Sequence, residues 1–381
     1  MRFTAALLFS LFTHQVFSQQ DVCQQRHCVA IVDAGSSGSR LHLYAYDLDN
    51  ISNPIQIEEL ESKKITPGLA SLEADQNAVD AYLNLLFPST VSQSIPVYFY
   101  ATAGMRLLPQ PKQKLRYNAV WQWFNHQSQW QLMDARTITG SEEGVFGWLA
   151  VNYELGALSS KQQDLVGVMD MGGASVQITF PVEEDTELDN HDRVEVDVLG
   201  RHITLFVHSF LGLGQNVLSQ QFLNSASCFA NGYELPDGLS GKGDAVACQN
   251  DISNLINKVH AVNRVVQPAA NKKTINSWYA LGGVTFLAVD KMFSFEKNQI
   301  TSQSLLDQSD SEICHKQWQD LTHQYPDHEY LHSYCLFASY YYALMVSGYG
   351  LAPNEPINYL ASNQGGDWTL GVVLLQAKNI H

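Results

Sequence analysis

A strand ending in Asp, a turn of small residues and a second, alternating strand occur twice in this chain, and that repeat limits what it can fold into. The first copy is Ala30-Ile31-Val32-Asp33-Ala34-Gly35-Ser36-Ser37-Gly38-Ser39-Arg40, followed by Leu41, His42, Leu43, Tyr44 and Ala45. The second is Gly167-Val168-Met169-Asp170-Met171-Gly172-Gly173-Ala174-Ser175, followed by Val176, Gln177, Ile178, Thr179 and Phe180. Two copies predict two lobes, each presenting one hairpin tip to a shared cleft. Further apolar runs at 97–101 and 165–169 are interleaved with helical periods, which is an α/β pattern.

Such tips suit phosphate. A phosphate bound by backbone needs converging amides, and only Gly or small hydroxyl residues let the main chain come close enough. Gly35, Ser36, Ser37, Gly38, Ser39 and Arg40 are the candidates in the first tip, and Gly172, Gly173 and Ala174, with Ser175, in the second. Asp33 and Asp170 end the two leading strands, where each can orient the water shell of a divalent cation. Mg²⁺ or Ca²⁺ is the expected cofactor.

Bulk properties narrow the setting. Residues 1–18 carry one Arg, an apolar run and a small residue at Ser18, which reads as a secretory signal peptide. The run is too short to span a bilayer, and no other apolar stretch reaches 18 residues, so no membrane anchor is expected. Secretion, outside the cell or into a periplasm, and a monomeric state follow as expectations. A net charge of −16 with no Lys/Arg cluster argues against a nucleic-acid partner. All six cysteines follow residue 18, and an even count in an exported chain favours disulfides. Spacing suggests Cys23 with Cys28, Cys228 with Cys248 and Cys314 with Cys335.

Three further segments bear on chemistry. Between Ser141 and Gly156, Trp148, Val151, Asn152 and Leu155 share one helical stripe, with Ser141 as the expected N-cap and Gly156 as the stop. Glu142 and Glu143 open that helix, either as partners of the helix macrodipole or as a general base for a positioned water. Arg106, after a strand, is either a surface residue or a neutraliser of charge on a transferring phosphoryl group. Tyr330, Tyr334 and Phe337 fall at helical spacing after Pro326-Asp327, as a core stripe or as faces for a nucleobase. No GxxxxGKS/T loop and no GxSxG elbow is present. His328-Glu329-Tyr330-Leu331-His332 is a literal HExxH, and on a helix it would make a zinc metalloprotease the rival reading, with Glu355 as third ligand.

Five segments, in order, resemble the apyrase motifs of the nucleoside triphosphate diphosphohydrolases: 33–40, 101–106, 139–156, 170–177 and 366–371, the last reading Gly366-Asp367-Trp368-Thr369-Leu370-Gly371. They span nearly the whole mature chain. The resemblance implies an α/β actin- and acetate-kinase-like fold of two RNase H-like lobes: lobe I from 19–145 and 360–381, lobe II from 146–359. It implies metal-dependent hydrolysis of nucleoside tri- and diphosphates, with Glu143 as catalytic base, Ser175 and Gln177 positioning the attacking water, and Arg106 the Arg of the second motif. Asp33 and Asp170 would hold the cation through waters. Asn152 and Trp368 are motif residues read as structural, Trp368 following the expected N-cap Asp367. Gly38 departs from the cell-surface members, which commonly carry His there, and leaves the preference between triphosphate and diphosphate open. Two further readings on the same lobes are an exopolyphosphatase and a nucleotide-binding protein without catalysis.

Overall fold

The computed structural model describes residues 19–88, 94–159, 164–271, 275–295, 298–360 and 367–377. The expected signal peptide and Gly366 of the last motif lie outside the described residues. Among these residues, no helix is long and apolar enough to cross a membrane.

Two sheets organise the chain. The first contains β1 (His27–Ala34), β2 (Ser39–Leu48), β3 (Pro54–Ile65), β4 (Ile95–Ala101) and β5 (Trp130–Thr137), in the order β3-β2-β1-β4-β5. The second contains β6 (Gly167–Met171), β7 (Ser175–Pro181), β8 (Arg193–Val198), β9 (Arg201–Leu211), β10 (Trp278–Gly282), β11 (Gln299–Ile300) and β12 (Ile357–Asn358), in the order β11-β12-β10-β6-β7-β9-β8. Without the outer β8 and β11, the second order becomes β9-β7-β6-β10-β12, which matches the first strand for strand. In both, the leading strand pairs antiparallel with its hairpin partner and parallel with the next strand. The repeat is therefore a repeat of whole sheets, not of two turns. Register puts Asp33 opposite Arg40 and Asp170 opposite Gln177, so both carboxylates reach the same end of their lobes.

Central strands of such sheets are covered on both faces and need continuous apolar runs. Ala30, Val32 and Ala34 of β1 pack on one side, while Val29 and Ile31 face a layer that contains Phe146, Ala150 and Trp368. Phe146 and Ala150 belong to the helix Gly140–Glu154, whose Val145, Trp148, Leu149 and Val151 pack instead with β6 and β9 of the second lobe. Residues Glu143 through Asn152 are all buried. A helix wedged between two sheets is apolar all round, which is why the single stripe expected from the sequence understates its burial. The lobe boundary expected at 145/146 falls inside this helix, which both sheets share.

The helix begins two residues earlier than expected. Thr139, not Ser141, is the N-cap: its Oγ1 accepts from Glu142 N at 3.1 Å, and the Glu142 carboxylate accepts from Thr139 N at 2.7 Å. That reciprocal capping box outcompetes a lone serine. Gly156 follows the helix end at φ +72°, as its role as a stop requires. Asn152 donates from Nδ2 to Trp148 O at 3.0 Å and accepts from Val166 N at 2.9 Å, tying the helix to the approach of β6. The three disulfides join the pairs expected from spacing.

Candidate active site

The two hairpin tips meet. A Cβ placed on Gly173 would lie 2.8 Å from Ser36 Oγ, and one on Gly104 would lie 2.8 Å from Ser36 Cα. Glycine at both positions lets the second tip and the segment after β4 close on the first tip. The second tip is itself fixed, because Gly172 O accepts from Gln215 N at 3.0 Å and Gly173 O from Asn216 N at 2.8 Å.

Beside this junction lies a cluster of polar side chains from four elements. Arg106 Nη2 donates to Glu143 Oε2 at 2.6 Å and to Ser175 Oγ at 2.8 Å. Gln177 Nε2 donates to Glu143 Oε2 at 3.1 Å, to Ser175 Oγ at 2.7 Å and to Ser209 Oγ at 3.0 Å. The sequence candidates Glu143, Ser175, Gln177 and Arg106 thus come together from the helix Gly140–Glu154, β7 and the short helix Ala103–Arg106, and β9 adds Ser209. Gln177 Oε1 is buried without a partner. Such an acceptor is costly unless something donates to it.

The neighbouring glutamates differ sharply. Glu142 is held bidentate by Arg136, at 2.7 and 3.0 Å; burial would raise its pKa, but Arg136 and the cap bonds keep it below the ordinary value. Glu143 is raised, chiefly by burial, although the Arg106 guanidinium opposes the shift. One is a cap and surface partner. The other is a buried carboxylate with a basic lone pair, which is what proton abstraction requires.

Carboxylates gather at the strand ends. Asp33 is raised well above the ordinary range, first by burial and then by the charges of Asp367 and Glu143. Asp170 is pushed up to about 8 by burial and then by Glu143 and Asp367. Asp33 Oδ1 is buried without a hydrogen-bond partner. Among the described residues no three His, Cys, Asp or Glu side chains form a direct metal-ligand set. An orphaned carboxylate oxygen in an acidic pocket fits a divalent cation held through its waters.

Two residues of this region were assigned no chemical role from the sequence, although Asp367 stands in the fifth motif. His42, 2% exposed, lies between Glu59 Oε1 at 2.6 Å and Asp367 Oδ2 at 3.4 Å. Burial works against its charge, yet Asp367 and Glu59 hold its pKa up at about 10. Asp367 is correspondingly held below its ordinary value, against burial, by His42 and by Thr369 N, which donates to it at 2.9 Å. The sequence reads Asp367 only as a cap and His42 as one position in an alternating strand; their pairing joins β2 to the helix Thr369–Gln376 and has no local signature. Trp368 is buried and stacks on Phe146 at 6.1 Å between centroids.

The tyrosines and the HExxH segment behave differently from expectation. The helix expected through Tyr330, Tyr334 and Phe337 begins only at Tyr334, because Leu331–Ser333 is a 3-10 turn. Tyr330 is half exposed, while Tyr334 is buried with its hydroxyl donating to Asp290 Oδ2 at 2.9 Å. A phenol packed in the core leaves no face for a base. His328 Nε2 bonds the same Asp290 oxygen at 2.8 Å, and His332 stacks on Tyr233 at 6.0 Å. Without a helix the two histidines share no face, so HExxH loses the geometry that makes it a zinc motif.

The GDA1/CD39 (nucleoside phosphatase) family model matches residues 19–381. The chain belongs to this family. Curated relatives of this GDA1/CD39 protein include ectonucleoside triphosphate diphosphohydrolase 1 of Mus musculus, 26% identical over 90% of this chain and 79% of the relative. Another is probable apyrase 3 of Arabidopsis thaliana, 26% identical over 93% of this chain and 83% of the relative. A solved nucleoside triphosphate hydrolase from Neospora caninum shares the fold, with a TM-score of 0.66 at 15% identity over 94% of both chains. A Ppx/GppA family member from Aquifex aeolicus does so with a TM-score of 0.56 at 14% identity, over 93% of this chain and 99% of that one. The GDA1/CD39 chain thus has the two lobes expected from its repeat, in the actin-like α/β architecture that the motif resemblance implies.

Proposed function

We propose that this GDA1/CD39 protein hydrolyses the terminal phosphates of nucleoside tri- and diphosphates, outside the cell or in a periplasm, by in-line attack of a water that Glu143 deprotonates. The observation that carries this is the cluster at the meeting of the tips, where Glu143 accepts from Arg106 and Gln177 and both donors also bind Ser175. The names of the relatives support nucleotides over other phosphate esters, and the disulfides and leader sequence support an exported protein.

The roles follow from the donor and acceptor inventory. Ser175 Oγ and the unpartnered Gln177 Oε1 are placed to hold the attacking water, and Glu143 takes its proton as the oxygen closes on phosphorus. Arg106 keeps Glu143 oriented and adds positive charge beside the transferring group. Backbone at Gly35–Arg40 and Gly172–Ala174 would cradle the phosphates. Asp33 and Asp170 would hold Mg²⁺ or Ca²⁺ through waters; the bound cation supplies charge neutralisation on the phosphate oxygens. Of the two tyrosines considered for the base, only Tyr330 keeps an accessible face. Lobe I at 19–145 with 360–381 and lobe II at 146–359 form part of the same reading, as does a monomeric state.

Chromatography of products from a panel of nucleoside tri- and diphosphates tests the proposal, with chelator and then Mg²⁺ or Ca²⁺ added. Activity should vanish with chelator and return with either cation, and nucleoside monophosphate should accumulate. Competition by inorganic polyphosphate with no nucleotide turnover would instead favour an exopolyphosphatase. One tightly bound zinc with peptide cleavage would overturn both.

A further inference from the structure

A backbone amide points opposite to the carbonyl in its own peptide group, because that group is planar and trans. In the second tip three successive carbonyls are taken by one segment, the chain that leaves β9. Gly172 O accepts from Gln215 N at 3.0 Å, Gly173 O from Asn216 N at 2.8 Å and from Val217 N at 3.2 Å, and Ala174 O from Gly212 N at 2.9 Å. The amides of Gly173 and Ala174 share peptide groups with the first two of these carbonyls, so both point away from residues 212–217. Neither donates to any group among the described residues. A Cβ on Gly214 would overlap the backbone of Gly173 and Ala174, so the segment lies directly against the tip.

Two tyrosines hold this segment from outside, and none of the assigned roles uses them. Tyr340 and Tyr341 belong to the helix Tyr334–Tyr342, both are fully buried, and their rings lie 4.9 Å apart between centroids. Tyr340 donates its hydroxyl proton to Leu213 O at 2.5 Å, and Tyr341 donates to Gln215 Oε1 at 2.5 Å. The two bonds thus grip the segment on either side of Gly214. Core packing needs only the rings, which phenylalanine would supply equally well. The hydroxyls are the part that the core does not require, and each meets a single acceptor in residues 212–217.

We propose that Tyr340 and Tyr341 are positioning residues for phosphate: through residues 212–217 they fix the direction of the Gly173 and Ala174 amides, and so align the donors that meet the phosphate chain. This role rests on the second tip being a phosphate cradle. Neither tyrosine touches the nucleotide, because the segment and the tip stand between. Loss of a hydroxyl loosens the segment, the carbonyls of the tip are then held less firmly, and the two amides no longer converge. Affinity for phosphate falls although every group that contacts it is still present.

The test reads Tyr340→Phe, Tyr341→Phe and the double variant in two ways on the full chain, at a temperature where all are folded. Amide hydrogen exchange is followed without ligand, and binding of a β,γ-methylene nucleoside triphosphate with Mg²⁺ is measured by calorimetry. In each single variant the Gly212, Gln215 and Asn216 amides should exchange roughly 10-fold faster, the equivalent of one neutral hydrogen bond, while amides of β1 and β4 keep wild-type rates. The Kd should rise by about the same factor, and by roughly 10² in the double variant. Gln215→Met removes the acceptor of Tyr341 and keeps the backbone N–H. It should reproduce Tyr341→Phe and add nothing when combined with it, which also covers the case in which a tyrosine variant fails to fold. Wild-type exchange at residues 212–216, or faster exchange spread evenly over both sheets, overturns the positioning role. Faster exchange confined to residues 212–216 with an unchanged Kd would instead defeat the phosphate assignment of the second tip.

Discussion

Glu143→Gln should lower kcat by roughly 10² to 10⁴, the range for loss of a positioned general base, while nucleotide affinity stays near wild type. The amide keeps the shape and can still accept from Arg106 Nη2 and Gln177 Nε2, which now sit at 2.6 and 3.1 Å from the carboxylate. It cannot take the proton. Phosphate binding is assigned to the tips and the cation, neither of which needs that carboxylate, so the loss belongs in kcat. Glu142→Gln is the control. Its carboxylate is about one-third exposed and pairs with Arg136, so the change should cost at most about 1 kcal/mol, and glutamine can still complete the capping box. Turnover, calorimetric nucleotide binding and melting temperature of both variants decide the matter; near-normal turnover in Glu143→Gln would remove the mechanism.

His42→Ala should destabilise the fold by about 3 kcal/mol, the low end for removing one partner of a buried ion pair. His42 is 2% exposed and its partner Asp367 one-quarter exposed, so the abandoned carboxylate would remain mostly desolvated. It would also face Asp33, whose pKa Asp367 already raises. The double variant His42→Gln with Asp367→Asn removes both charges and should recover much of the loss.

The pair also sets a pH window. His42 is raised to about 10, so its contribution is complete below the unfolded value of ~6.5 and declines as pH climbs through 10. Asp367 is depressed, so its contribution is complete above the unfolded value of ~3.9 and is lost as pH falls through the native one. Stability from the pair should therefore be full between about pH 4 and 6.5 and decline on either side. Urea midpoints for the wild type and the double variant should diverge most inside that window; a constant difference across pH would show that the pair does not titrate as its geometry requires.

Much of this protein could be read before its coordinates. Strand–Asp–small turn–strand is a local pattern, set by side-chain alternation and by the backbone freedom of Gly and Ser, so both hairpins and their carboxylates were visible along the chain. The disulfides were legible because each pair closes a short segment. Glu143, Ser175, Gln177 and Arg106 each stood in a motif, although composition and spacing alone left Glu142 and Glu143 equivalent.

What the chain order could not settle were contacts whose partners lie far apart in sequence. Arg136 claims Glu142 and burial claims Glu143, and that choice depends on how the helix Gly140–Glu154 is wedged between two sheets. Asp367 meets His42 only because the start of the last helix packs against β2, where its neighbour Thr369 also binds Tyr44 across 325 residues of chain. The HExxH histidines obey a helical spacing, yet the backbone there forms a 3-10 turn and Asp290 takes both His328 and Tyr334. Local pattern is written in neighbouring residues and survives in the sequence, whereas desolvation, charge pairing and cavity shape are sums over space that exist only once the chain has folded.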